Sequence, residues 1–153
     1  MSNLPYAKSF RDLLAYQEAR KLSKDIFVIS RRFPREETYS LTDQIRRSSR
    51  SVGAQIAEAW AKRRYERHFI SKLTDADGEQ QETQHWLEVA FDCGYLVETE
   101  LRDLLSRCER TGRLLGGMIE KAELFCGEPK TTVREPAVEY FVEGNWDEED
   151  SDR

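Results

Sequence analysis

Residues 40–61 read SLTDQIRRSSRSVGAQIAEAWA. Apolar side chains recur in this stretch at helical spacing, and at about 100° per residue they fall within about 40° of Ile45. They are Leu41, Ile45, Val52, Ile56 and Ala59. Ser40 precedes the pattern as a candidate N-cap, and Asp43 lies in the first turn, where a carboxylate favours the helix dipole. The stretch therefore predicts an amphipathic helix that buries one narrow stripe.

The sequence before this helix repeats the same pattern. Ser9 is followed three residues later by Asp12, an arrangement close to a capping box, and Pro34 ends the helical pattern. The apolar positions between Ser9 and Pro34 recur at steps of three and four residues. They are Phe10, Leu13, Leu14, Leu22, Ile26, Ile29 and Phe33. We therefore expect a first helix in this segment.

Two further helical patterns follow, at about residues 66–94 and 97–125. Gly94 is placed to end the third helix in a left-handed conformation. Residues 9–126 contain no alternating pattern of the kind that indicates a strand. Four helices joined by short links predict an all-α fold, an antiparallel up-down four-helix bundle.

The third and fourth helices contain residues that are unusual in a helical core. Gln80 and Thr83 interrupt the apolar stripe of the third helix. Because a buried amide needs a partner, we expect Gln80 to bond across the bundle, with a small-ligand site as the alternative. Gly112, Gly116 and Gly117 weaken the fourth helix, so close packing or fraying is expected there.

Charge divides the chain of 153 residues into two segments. Residues 127–153 carry nine acidic and three basic side chains, a net charge of −6, and include Pro129, Pro136 and Gly144. Residues 1–126 carry a net charge of +1. We expect a four-helix bundle over residues 1–126, followed by an extended, acidic and aromatic-containing tail over residues 127–153.

Composition argues against several classes of protein. No apolar run approaches the roughly 18 residues that a membrane-spanning helix needs. The three cysteines, Cys93, Cys108 and Cys126, contain no Cys-x-x-Cys pair, which argues against a disulfide framework and against structural zinc. We therefore expect a reduced, cytoplasmic protein that has no contact with a membrane.

Candidate catalytic groups are few. Glu82 and His85 form a Glu-x-x-His pair, but di-iron bundles use that pair twice, and here it occurs once and points away from the core stripe. The sequence has no phosphate-binding loop and no nucleophile elbow. We predict no catalytic residue, no metal site, no cofactor and no small-molecule substrate.

The outer face of the second helix carries small residues where a surface helix usually has long polar ones. They are Gly53, Ala54, Ala57 and Ala61. Small side chains permit the close approach of another helix, so this face is a candidate oligomer interface. The alternative is an exposed, alanine-rich helix with good helical propensity.

Basic residues cluster on and after the same helix. They are Arg46, Arg47, Arg50, Lys62, Arg63, Arg64 and Arg67. Arginine binds phosphate groups through paired N–H donors, so the cluster is a candidate nucleic-acid-binding surface. The alternative is that these bases pair with carboxylates of the bundle or of the acidic tail.

Residues 41–63, LTDQIRRSSRSVGAQIAEAWAKR, also resemble a family signature. Together with Phe33-Pro34-x-x-Glu37 before them and Glu66-x-x-Phe69 after them, they are similar to the four-helix bundle family named after 23S rRNA intervening sequences, also labelled S23 ribosomal protein. The sequence departs from the family pattern at Gln55 and Ala59, where Asn and Gly are usual. The resemblance covers about residues 10–125.

The resemblance implies a homopentamer. It also implies a link to nucleic acid, because the related accessory variability protein of diversity-generating retroelements forms a basic pentameric barrel that partners a reverse transcriptase. We therefore expect a non-enzymatic, oligomeric scaffold that binds RNA or a nucleoprotein through its arginine-rich surface. The alternative is a protein–protein interaction adaptor that binds no nucleic acid.

The tail suggests a form of regulation. Residues 137–146 mix aromatic and acidic side chains, and residues 147–152 contain five acids. Such a segment can dock aromatics in a groove while its acids meet arginines, so we hypothesise that the tail competes with nucleic acid for the basic surface. The alternative is a solvated, disordered tail.

Overall fold

The computed structural model describes residues 6–127 and contains four α-helices in that range. They are α1 (Leu14–Ser30), α2 (Leu41–Ala61), α3 (Glu66–Asp92) and α4 (Glu98–Glu120). Each helix packs on its neighbour in sequence, and α1 closes the ring against α4. The predicted all-α four-helix bundle is confirmed. The predicted tail, residues 127–153, lies outside the described residues except for Gly127.

The first helix begins later than the sequence predicts. Ser9 and Asp12 do form a capping box, in which Ser9 Oγ accepts from the Arg11 N–H at 3.1 Å and Asp12 accepts from the Ser9 N–H at 3.2 Å. This box caps only a short 3₁₀ turn, Phe10–Asp12, because Leu13 is extended with ψ at 127°. The extended residue places the Leu13 side chain in the core, where 5% of it is exposed.

The sequence predicts the C-terminal end of α3 correctly, but not the capping of the N-terminal end of α2. The Ser40 side chain makes no capping hydrogen bond, and Glu37 instead accepts from the Leu41 N–H at 3.2 Å. Gly94 adopts the predicted left-handed conformation, with φ at 80°. The Tyr95 N–H donates to the Ala90 carbonyl and the Gly94 N–H to the Phe91 carbonyl, which completes a Schellman motif.

A buried polar layer separates two apolar clusters at opposite ends of the bundle. The layer consists of Ser48, Ser49, Gln80, Thr83 and Thr111. The Thr83 hydroxyl lies 2.9 Å from Ser48 Oγ, so α2 and α3 meet there through a pair of hydroxyl groups. In the part of the chain that the structure describes, no helix is long and apolar enough to cross a membrane.

Contrary to the prediction, the side chain of Gln80 has its hydrogen-bond partners on its own helix rather than across the bundle. Its Nε2 donates to Asp77 Oδ1 at 2.9 Å, and its Oε1 accepts from Gln84 Nε2 at 2.7 Å, so both partners lie on α3. Gly112 of α4 packs against this amide, since a Cβ at position 112 would lie 2.7 Å from Gln80 Nε2. Close packing is therefore confirmed at Gly112, whereas Gly116 has nothing within 4 Å of its Cβ position.

Candidate nucleic-acid interface

The predicted arginine cluster divides into three environments. Arg46 and Arg50 face Phe27 of α1. Arg47 reaches across to α3. The remaining four bases, which we call the turn cluster, lie at the connection between α2 and α3. They are Lys62, Arg63, Arg64 and Arg67. The structure therefore does not gather the seven predicted residues into one patch.

Three guanidinium groups surround the Phe27 ring. The Cζ atoms of Arg31 and Arg46 each lie 4.8 Å from the ring centroid, and that of Arg50 lies 5.4 Å away. We call Arg31, Arg46 and Arg50 the guanidinium triad. Arg31 is not among the predicted site residues, because its proximity to α2 depends on how the α1–α2 hairpin is paired.

Arg46 is half-buried, although the helical wheel predicts that it points outward. Its Nε donates to the Ser30 hydroxyl at 2.8 Å, and Ser30 in turn donates to the Phe27 carbonyl at 3.0 Å. Burial, followed by the like charges of Arg50 and Arg31, lowers the pKa of Arg46 below its ordinary value. The low dielectric and the two neighbouring cations therefore both act against this charge.

Carboxylates do not neutralise the triad within the described range. Among residues 6–127, no Asp or Glu oxygen lies within 4.0 Å of a charged nitrogen of Arg31, Arg46 or Arg50. Arg47, by contrast, pairs with Glu82 and lies 3.5 Å from Glu79. Arg47 thus stabilises the contact between α2 and α3, and the carboxylates of Glu79 and Glu82 balance its charge.

Aromatic side chains contact two members of the turn cluster. Arg63 donates to the Trp60 carbonyl at 2.8 Å and lies over the Trp60 ring, with its Cζ 4.0 Å from the centroid. Arg64 lies 5.8 Å from the centroid of the Tyr65 ring. Lys62 and Arg67 are exposed. The cluster therefore forms a second basic surface at one end of the bundle.

Helix α1 and the turn before it contribute bases that are not among the predicted site residues. Arg11 of the 3₁₀ turn and Arg20, Lys21 and Lys24 of α1 line a surface groove of about 360 Å³ together with Tyr16 and Gln17. Arg20, Lys24, Phe27 and Arg31 recur at steps of four, three and four residues, which places them on one face of α1. A helical-wheel plot of the charged residues of α1, rather than of its apolar residues, would have indicated this basic face.

The two acids of α1 lie on another face. Asp25 accepts from Arg107 of α4 at 2.6 Å, and Glu18 lies 3.5 Å from Arg110 of α4. The acids are therefore used to hold α1 against α4, while the bases on the Phe27 side remain uncompensated within the described residues. We call Arg20, Lys24, Arg31, Arg46 and Arg50 the basic seam.

The predicted oligomer interface is only partly exposed. Gly53 is buried within its own chain, where its Cβ position lies 3.6 Å from the Tyr16 ring, so the prediction that it lies on the outer face is wrong. Tyr16 is long enough to reach over α2 and cover a position that lies outside the core stripe. Ala54 and Ala61 are exposed and Ala57 is half-buried, and we call these three the alanine strip.

The residues considered for metal binding are not brought together. Glu82 binds Arg47, whereas the His85 ring packs against the Trp86 ring with a centroid distance of 4.7 Å. Within residues 6–127, no group of three or more His, Cys, Asp and Glu side chains could hold a metal ion.

Comparisons with known proteins place the chain in a family. A comparison with curated proteins finds no similar sequence. Among solved structures, the chain is similar to a protein of unknown function from the S23 ribosomal protein family of Bacteroides thetaiotaomicron. The two are 25% identical, the match covers 71% of this chain and 96% of the other, and the TM-score is 0.64. Residues 11–117 match the family described as 23S rRNA-intervening sequence protein, and the chain therefore belongs to that family.

Proposed function

We propose that this chain is a non-enzymatic, oligomeric binding protein that engages RNA or a nucleoprotein through the basic seam. The observation that carries the proposal is the lack of carboxylate partners for the triad of Arg31, Arg46 and Arg50 among residues 6–127. Arg47 and Arg107, by contrast, each pair with an acid across a contact between two helices. A converging set of unmatched cations attracts a polyanion.

The distribution of charge supports this function more than the net charge does. Residues 1–126 carry a net charge of only +1, so the whole bundle is not a basic particle. The acids of α1 are directed toward α4, however, and the local field over the basic seam is therefore positive. Local fields of this kind steer a charged partner to one face even on a protein that is acidic overall.

Assembly would multiply this surface. The alanine strip begins four residues after Arg50 on the same helix, and small side chains let a second helix approach closely. In the homopentamer that the family resemblance implies, five copies of the basic seam would lie on one particle. Several weak phosphate contacts would then act together as one site of higher affinity.

Binding of single-stranded RNA to the full chain tests the proposal. We expect fluorescence anisotropy to report binding at about 50 mM salt that weakens steeply by about 200 mM. The variant Arg31→Ala/Arg50→Ala should bind more weakly. The matched control is Arg102→Ala, because Arg102 is exposed and pairs with Glu98 on its own helix. Wild-type protein that binds no RNA at about 50 mM salt would contradict the proposal.

One observation favours the adaptor alternative. Leu14 and Val28 of α1 are 48% and 55% exposed, and their spacing of 14 residues, four helical turns, places them on one side of the helix. An apolar partner could cover them together with Lys21, which lies midway between them. An adaptor would capture a protein partner from nuclease-treated lysate as well as from untreated lysate, whereas an RNA-dependent complex would be lost after nuclease treatment.

A further inference from the structure

Within the basic seam, the three guanidinium groups of the triad lie around one aromatic ring. We propose that Arg31, Arg46 and Arg50 together bind one phosphate group, and that Ser30 and Phe27 hold the guanidinium of Arg46 in position for it. The inference rests on the proposed function in one respect, because it takes this phosphate to come from the backbone of RNA.

Hydrogen bonds orient the Arg46 side chain in the absence of any ligand. Of its five N–H donors, the one on Nε is used by the Ser30 hydroxyl at 2.8 Å. Ser30 is 2% exposed and is itself fixed by its bond to the Phe27 carbonyl. The four donors on the terminal nitrogens of Arg46 therefore project from an anchored side chain, and a fork of this kind matches two oxygens of a phosphate.

The positive charges of the triad favour a bound anion. Three cations lie within 5.4 Å of one ring centroid, and the nearest acid in the sequence, Asp43, makes no ion pair with them. The face of an aromatic ring attracts each cation by a small amount, but it carries no net charge and cannot neutralise three of them. An anion bound between the guanidinium groups would remove their mutual repulsion.

The surroundings of the Phe27 ring favour recognition of the phosphate of a nucleotide rather than of its base. The guanidinium groups already lie around the Phe27 ring, and Phe27 is only half-exposed, so the ring is not a free platform for base stacking. Recognition of the phosphate is then independent of the base, and the site should bind RNA without sequence preference.

Salt dependence of RNA binding gives a quantitative test. On a single strand, the slope of log K against log salt changes by about 0.7 for each phosphate neutralised. If the triad clamps one phosphate, Arg31→Ala/Arg46→Ala/Arg50→Ala should reduce the slope by about 0.7. Three arginines that met three separate phosphates would change it by about 2. Arg31→Ala/Arg50→Ala serves as a second variant, because both side chains are exposed and their removal spares the anchored Arg46.

Charge-conserving substitution separates a shaped site from a diffuse field. Arg46→Lys keeps the charge but loses the paired donors, so we expect RNA affinity to fall about tenfold. Arg102→Lys is the matched control and should leave affinity unchanged. Equal affinities of Arg46→Lys and wild type would overturn the shaped site. Calorimetric titration of the full chain with inorganic phosphate, at matched ionic strength, tests whether the site binds phosphate in the absence of RNA.

The results of these experiments separate the proposed RNA-binding function from the proposed phosphate site. If Arg31→Ala/Arg50→Ala weakens RNA binding but Arg46→Lys does not, the phosphate site is overturned while RNA binding through the basic seam stands. If the triad variants bind RNA as tightly as wild type, both the phosphate site and the basic seam as the RNA-binding surface are overturned. If wild type binds inorganic phosphate but no RNA, the RNA function fails and the site takes its phosphate from another source. If a short poly-glutamate peptide binds the triad as tightly as phosphate does, the site recognises acidic protein and the inference is overturned.

Discussion

Alanine in place of Gly112 tests the polar layer at the centre of the bundle. A Cβ at this position would lie 2.7 Å from Gln80 Nε2, 3.3 Å from Asp77 Oδ1 and 3.4 Å from Gln80 Cδ. Gln80 is 4% exposed and is bonded to Asp77 and to Gln84, so its amide cannot move without disturbing two hydrogen bonds. We therefore expect Gly112→Ala to displace the Gln80 side chain.

The magnitude follows from two opposing effects. Alanine gains about 1 kcal/mol over glycine in a helix interior. Disturbing two side-chain hydrogen bonds costs about 1 kcal/mol each, and overpacking adds a further cost of about 1 kcal/mol. The expected net loss for Gly112→Ala is about 2 kcal/mol in the free energy of unfolding. Gly116→Ala, four residues later on the same helix, should gain up to about 1 kcal/mol because nothing lies within 4 Å of its Cβ position.

Denaturant unfolding followed by circular dichroism measures both variants. The two are compared at one protein concentration, because unfolding of an oligomer depends on concentration. The double variant Gly112→Ala/Gln80→Ala should recover part of the loss, since it removes the amide that the new methyl group meets. The reasoning is refuted if Gly112→Ala stabilises the protein as much as Gly116→Ala does.

Three further predictions concern the cysteines, the tail and assembly. Burial raises the pKa of the Cys108 thiol to about 12, so in native protein near pH 8 a thiol reagent should modify the exposed Cys93 rapidly and Cys108 only after unfolding; equal rates at the two cysteines would contradict this. Removing residues 127–153 should raise RNA affinity several-fold at low salt if the acidic tail competes for the basic seam, and an unchanged affinity would reject that competition. Ala54→Arg places a long charged side chain at an exposed position, so it should leave the fold intact but lower the mass measured by light scattering; a mass equal to that of wild type would exclude the alanine strip as the interface.

Sequence reasoning succeeds here where the signal lies within one helix. The apolar stripe of α2 around Ile45 is buried, and Gly94 takes the left-handed conformation that its place after an apolar helix predicts. Both properties depend only on local spacing and on backbone preference. For the same reason the capping box of Ser9 is correctly identified, even though it caps a short turn rather than α1.

Sequence reasoning fails where two helices must be brought together. A helical wheel gives the direction of Gly53 and Arg46 relative to their own stripe, but not which side chain of α1 lies above them. Tyr16 covers Gly53, and Ser30 with Phe27 receives Arg46. The triad depends on the same pairing of α1 with α2, so Arg31 could be assigned to it only from the folded hairpin.

The hydroxyl pair of Ser48 and Thr83 also has a consequence at the surface. Sliding α2 along α3 by one turn, about 5.4 Å, would separate these two hydroxyls. The pair therefore favours the observed register, as a single polar residue can do in a coiled coil. Arg47 precedes Ser48 directly, and Arg46 and Arg50 lie within two residues of it. The alignment fixed at the centre thus sets the height at which Arg47 of α2 meets Glu79 and Glu82 of α3.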